Sequence, residues 1–390
     1  LLRHFQEPLY THKWLAPGRL VVRKIGLLFL IAVALPILAA CGSDPTPTPK
    51  PVATATAAPQ LSLEEQLYKD ALATNSGKIA WVFPTRAAQG EPIVEAFEAQ
   101  YPGLKVELTT KSTSEVTEGL LLENKAGKIS ADVADPGRDS RLLDQNIFAD
   151  STDIFDDIGV DKLARYGDGA ATLYLPLAHG VMYNTDVINA DEVPQTYEDL
   201  LDPKWKGQMV LEDRLKGFIY LTDLPEYNGK FPNLWTEAEI VEYLGKLKAQ
   251  KPAIMHGNTT VGNAVSSGEF PISPDVNIAS IGNAIQKGAP VDMAPVTPNA
   301  IEQWLIGAVA KGPNPPGGKL FLRWLNNVNQ GIPVRVKVQP GTSMDPASGD
   351  LMGVRMSKMD LKIGYTGIEM ADNFKRLQKT YREVLGIPTS

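Results

Sequence analysis

Between Lys78 and Ala134 short apolar runs alternate with segments of helical period, and this alternation constrains the fold more than any other feature of the chain. Lys78-Ile79-Ala80-Trp81-Val82-Phe83 has the length and character of a strand buried on both faces, and Pro84-Thr85-Arg86 follows it as a turn. Residues 91–100 place Ile93, Val94 and Phe97 on one helical face, opened by Pro92 and stopped before Pro102-Gly103. Leu104, Val106 and Leu108 alternate as a strand. Ser112 and Glu115 then stand at the spacing of a capping box, ahead of a helix that runs through Leu120 and Leu121 to Gly127. Ala131-Asp132-Val133-Ala134 supplies a third strand. The order β-α-β-α-β predicts right-handed crossovers and an open α/β sheet, with ligands beyond the carboxyl ends of the strands.

The middle of the chain repeats the theme with strands predicted at 180–183, 208–211, 253–256 and 270–273. A helix is predicted over 237–248, with Ile240, Val241, Leu244 and Leu247 on one face. At 390 residues the chain exceeds what one hydrophobic core usually holds, so two α/β bodies are expected. The formal charge of −7 argues against a nucleic-acid partner, and one Cys supports neither an internal disulfide nor a Cys-based metal site. No Gly-x-Ser-x-Gly, phosphate loop or His-Glu-x-x-His occurs, so no enzyme signature is present.

Arg19, Arg23 and Lys24 precede an uncharged run over 25–40. As a helix it reaches roughly 24 Å against a bilayer core of about 30 Å, so it reads as a secretory leader and not as a span. Its end, Leu38-Ala39-Ala40-Cys41, resembles the bacterial lipoprotein box, which implies lipidation of Cys41 and anchoring on the extracytoplasmic face of the cell membrane. Residues 1–20 do not read as part of that leader, and a start at Val21 or Val22 gives a conventional one. Gly42 to Pro59 carries alternating prolines and reads as an extended tether. A short helix is predicted over 61–72, opened by Ser62 and Glu65, and the tether and helix together are assigned to 41–76.

Several ordered phrases resemble the solute-binding proteins of ABC importers, and most closely their ferric-iron-binding group. They are Val94-Glu95-Ala96-Phe97-Glu98 with Tyr101-Pro102-Gly103-Leu104-Lys105-Val106; Gly180-Val181-Met182-Tyr183-Asn184-Thr185-Asp186; Tyr197-Glu198-Asp199-Leu200-Leu201-Asp202-Pro203-Lys204-Trp205-Lys206-Gly207; Ser267-Gly268-Glu269-Phe270-Pro271-Ile272; and the stretch from Pro313-Asn314 to Leu325. The resemblance implies the type 2 periplasmic binding fold, two α/β domains joined by crossing segments and closing over one solute. It divides the chain into lobe I at 77–178 and 297–345 and lobe II at 179–296 and 346–390. It also implies a monomer that hands a small molecule to an ABC permease and uses no cofactor.

The ferric group holds its cation with a His, a Glu and adjacent Tyr residues, and matching of the flanking phrases places Arg86, Gly137 and Ile278-Ala279 there. None of these is an anionic oxygen donor, so no metal site is predicted, although Asp135, Arg138 and Asp275 lie nearby. Arg86, beside Thr85, and Arg214 are expected to close from opposing lobes on a carboxylate, phosphate or phosphonate. The alternative for Arg214 is pairing with Glu212 or Asp213 on the rim. Asn258 and Thr259 either cap a helix or contact ligand, and Asp275 and Asn277 are positioned to accept from a ligand amine, which suits a zwitterion. His179 is a hinge or binding residue, and Trp304 is either a stacking platform or buried. The expected function is therefore capture of a small anionic or zwitterionic solute. The alternatives are ferric-iron binding, an extracellular hydrolase using His179 or His256, and a sensory lipoprotein on the same fold.

Overall fold

The computed structural model describes residues 61–84, 87–343 and 345–388. Cys41, the tether, Thr85 and Arg86 lie outside the described residues.

The alternating segments at the start of the globular region form the first sheet. Lys78–Phe83 lies between Lys105–Thr110 and Val133–Gly137, all three parallel, with Lys78 opposite Lys105 and Trp81 opposite Val133. The sheet continues through Leu305–Ala308, Ala171–Leu173 and Arg165–Tyr166, each antiparallel to its neighbour. Helices on both faces explain why the Lys78–Phe83 strand reads as a continuous apolar run and not as an alternation. Helix Ala87–Gln100 buries Ile93 and Phe97, and it begins before Pro92, so the proline sits inside the helix and does not open it. Helix Thr113–Lys125 starts at the predicted Ser112/Glu115 capping box.

The apolar residues of helix Pro315–Leu325 build an aromatic core with the sheet. The Phe321 ring lies 5.0 Å from Trp81 and 4.8 Å from Phe97, both edge-on. Helix Leu63–Ala73 has the predicted Ser62/Glu65 box, and it belongs to this core and not to the tether. Leu67 and Ala71 are buried, and the Ala71 carbonyl accepts from Asn314 Nδ2 at 3.0 Å.

The second sheet is built on Leu177–Asn184, which pairs antiparallel with Ile272–Asn277, Val291–Met293 and Asn299–Glu302. A parallel pair, Val210–Glu212 with Ala253–Met255, adjoins it. Helix Glu237–Ala249 covers this part with Ile240, Tyr243, Leu244 and Leu247 buried, and helix Met370–Leu385 packs on it. Gly331–Val338 packs instead on Ala87–Gln100. The α/β architecture with crossing segments follows the resemblance.

The chain leaves the first sheet after Leu173 and enters the second at Leu177, then returns between Glu302 and Leu305. The two crossings are bonded to each other. Tyr174 N–H donates to the Trp304 carbonyl at 2.7 Å, and Glu302 pairs with Leu177.

Candidate functional site

Three strand ends deliver charge to the crossings. Arg138 follows Val133–Gly137 in the first sheet, Lys216 follows Val210–Glu212, and Glu302 ends Asn299–Glu302. Glu302 is fully buried, and its Oε1 accepts from Lys216 Nζ at 2.5 Å and from Arg138 at 3.2 Å. One carboxylate is thus clamped by a cation from each side. Burial alone would raise the Glu302 pKa, but Lys216, the His179 hydrogen bond and Arg138 hold it well below the usual carboxylate range. The Arg138 guanidinium also stands 4.5 Å from the Phe374 ring centre.

His179 and Asp275 extend the cluster. His179 Nδ1 lies 2.6 Å from Asp275 Oδ1, and its Nε2 lies 3.5 Å from Glu302. Burial would depress the histidine, but the Asp275 charge and hydrogen bond, with Glu302, carry it up to about 9, so it is the imidazolium at neutral pH. The other Asp275 oxygen accepts from Gly217 N–H at 3.0 Å. The space beside His179, Gly217 and Asp275 is too narrow to admit a water molecule.

Several expected ligand contacts are already used within the protein. The arginine expected opposite Arg214, Arg86, lies outside the described residues. Arg214 pairs with Glu212 two residues away, which is the rim alternative. The reason is local: Leu215 adopts φ 53°, and the helix it opens turns Lys216 inward in place of Arg214. Asn277 Oδ1 caps the helix Ile278–Gln286 by accepting from Ser280 N–H, so it is not free for a ligand amine. Asn258 neither caps its own helix nor stands open. It is buried, and its Oδ1 accepts from Asn277 N–H at 2.9 Å. Thr259 is exposed on that helix. Asp135 is fully buried, accepting from Trp304 Nε1 at 2.6 Å and Gly137 N–H at 2.8 Å. Burial pushes its pKa up to about 8, against these two hydrogen bonds. Trp304 thereby serves the crossing and not a ligand face.

Gly137 takes φ +65° beside Thr113. Ile278 and Ala279 are buried, and the main chain of Gly341 covers them. Among the described residues no group of three or more His, Cys, Asp or Glu is arranged to hold a metal ion.

Lys216 and Glu302 were missed by sequence reasoning. A lysine inside Leu215-Lys216-Gly217-Phe218-Ile219-Tyr220-Leu221 is the signal that could have flagged the first, because a charge within an apolar run needs a buried partner. Glu302 carried no comparable signal.

Residues 84–328 match the family described as bacterial extracellular solute-binding protein. Iron uptake protein A1 of Synechocystis sp. is 24% identical over 327 residues, covering 79% of this chain and 82% of that protein. Among solved structures, Trichodesmium IdiA (FutA) in complex with iron and citrate ligands aligns with TM-score 0.61 at 19% identity, over 79% of this chain and 99% of that one. AfuA from Actinobacillus pleuropneumoniae, with exogenous fructose-6-phosphate bound, aligns with TM-score 0.50 at 18% identity, over 80% of this chain and all of that one.

Proposed function

Because the chain belongs to the bacterial extracellular solute-binding protein family, we propose that it captures a small anionic or zwitterionic solute between its two sheets and delivers it to an ABC permease. The family acts outside the cytoplasm, and Cys41 is the residue through which a lipid anchor would hold this chain at the membrane. The observation that carries the choice of solute is the cluster at the crossings, where Arg138 and Lys216, carried by different strand ends, meet on one oxygen of Glu302. Cations converging from two sheets suit recognition of a carboxylate or phosphate, and a solute that binds the closed form better than the open one drives closure. Relatives in the family bind and do not turn over their ligands, and this reading assigns no catalysis.

A second reading, ferric-iron binding, is supported by the relative named as an iron uptake protein and by the iron-bound neighbour. Donor chemistry separates the two: a hard cation needs free anionic oxygens, whereas the carboxylates at the crossings, Glu302 and Asp275, are already paired with Arg138, Lys216 and His179. A thermal-shift screen against phosphate, phosphonates, amino acids, polyamines, sugars and ferric citrate decides between them. The anionic reading expects a rise in melting temperature with an organic anion, reduced in Arg138→Ala. A rise with iron alone, accompanied by a charge-transfer absorption band, would replace it with the iron reading.

A further inference from the structure

Nine arginines lie among the described residues, and eight have a carboxylate within 4.0 Å. Arg335 has none, and it is 3% exposed. Its NH1 donates to the Tyr174 carbonyl, and its guanidinium sits over the Tyr174 ring at 4.6 Å, but its buried Nε–H has no acceptor. Asp350 is the nearest source of compensating charge. It is spent on the main-chain N–H groups of Gly341, Thr342, Ser343, Met352 and Gly353. A buried guanidinium with an unmet donor and no counter-charge is costly, and the cost is removed by an anion that reaches it.

The space beside it suits such an anion. Arg335 borders a small pocket, partly open to solvent, shared with Phe83 at the end of the first strand, Gln89 on the following helix, Tyr174 and Thr342. The position beyond a parallel strand and near a helix start favours negative charge. Its interior of about 10 Å3 has room for roughly one water-sized atom, so it takes a single oxygen of an acid whose remainder lies outside.

We propose that Arg335 is the anion anchor of this protein, binding a carboxylate or phosphate oxygen of the solute in the pocket between the first strand, the outgoing crossing and the helix Gly331–Val338. This rests on the solute-capture reading and deepens it. Tyr174 places the anchor on the crossing, so a bound anion there touches the segment that joins the two sheets.

The test is isothermal titration of the purified full chain with citrate, inorganic phosphate, glucose and Fe3+, repeated for Arg335→Gln and Gln89→Glu. Gln89 is half-buried on the pocket wall, and its substitution adds a repelling charge without removing a core group. The proposal expects saturable binding of citrate or phosphate, weakened at least tenfold in both variants, with the melting temperature of unliganded Gln89→Glu not lowered, since the new carboxylate can itself pair with Arg335. The two anion arms separate a carboxylate ligand from a phosphate. Equal anion binding by wild type and Gln89→Glu overturns the anchor even if Arg335→Gln fails to fold. Saturation by glucose or Fe3+ with no response to either anion overturns the anchor and leaves solute capture standing. No response to any of the four overturns both.

Discussion

The main chain of Gly341 lies directly on that of Ala279: a Cβ added to Gly341 would stand 2.7 Å from the Ala279 Cα and 2.7 Å from the Ile278 carbonyl oxygen. This contact lies over Ile278 and Ala279, the position that matching to the ferric group assigns to adjacent tyrosines. Asp350 holds that segment in place by accepting from three successive amides, those of Gly341, Thr342 and Ser343.

Gly341→Ala therefore combines a clash with main chain and a φ of +79° that alanine resists. A loss of about 2–4 kcal/mol is expected by urea unfolding. A variant as stable as wild type would show that the segment moves off Ala279 at little cost.

Glu302→Gln removes the one negative charge shared by Arg138 and Lys216 while keeping the shape of the side chain. It leaves the buried Lys216 and the partly exposed Arg138 without their shared counter-charge, and about 3 kcal/mol of stability should be lost. The double variant Glu302→Gln, Lys216→Met should recover part of the loss, because one of the stranded charges is gone. Additive losses in that double-variant cycle would mean that the two residues do not interact.

Stability should fall as pH rises, for two groups in overlapping windows. The folded pKa of His179 is raised from 6.5 to about 9, so its contribution is fully present below 6.5 and is lost as pH climbs through about 9. Asp135 is a carboxyl whose folded pKa is also raised, from 3.8 to about 8. The unfolded form ionises first, and stability declines between roughly pH 4 and 8. The groups facing His179 are Asp275 and Glu302, with Arg138 and Lys216 on the far side of Glu302; Asp135 faces the Trp304 and Gly137 donors. Melting temperature recorded from pH 4 to 10 should decline, Asp135→Asn should flatten the lower part, and His179→Gln the upper part. A profile of His179→Gln parallel to wild type above pH 7 would mean that the histidine is not charged in the fold.

The sequence by itself determined the elements and their class. Apolar runs bounded by turns, together with the capping boxes at Ser62 and Ser112, specify local structure through contacts a few residues apart, and both boxes are formed. The aromatic positions of the Pro315–Leu325 helix were legible for the same reason. What tertiary structure decided is which charges meet. Arg138, Lys216 and Glu302 come from three separate strand ends, and only the two bonded crossings bring them together. Whether Arg214 or Lys216 turns inward depends on one left-handed residue, Leu215, and Arg335 stands apart from the other described arginines only because no carboxylate folds back to it. Periodicity reports on burial along one element. Charge pairing depends on distances of a few ångströms between residues far apart in the chain, and those exist only once the sheets are placed.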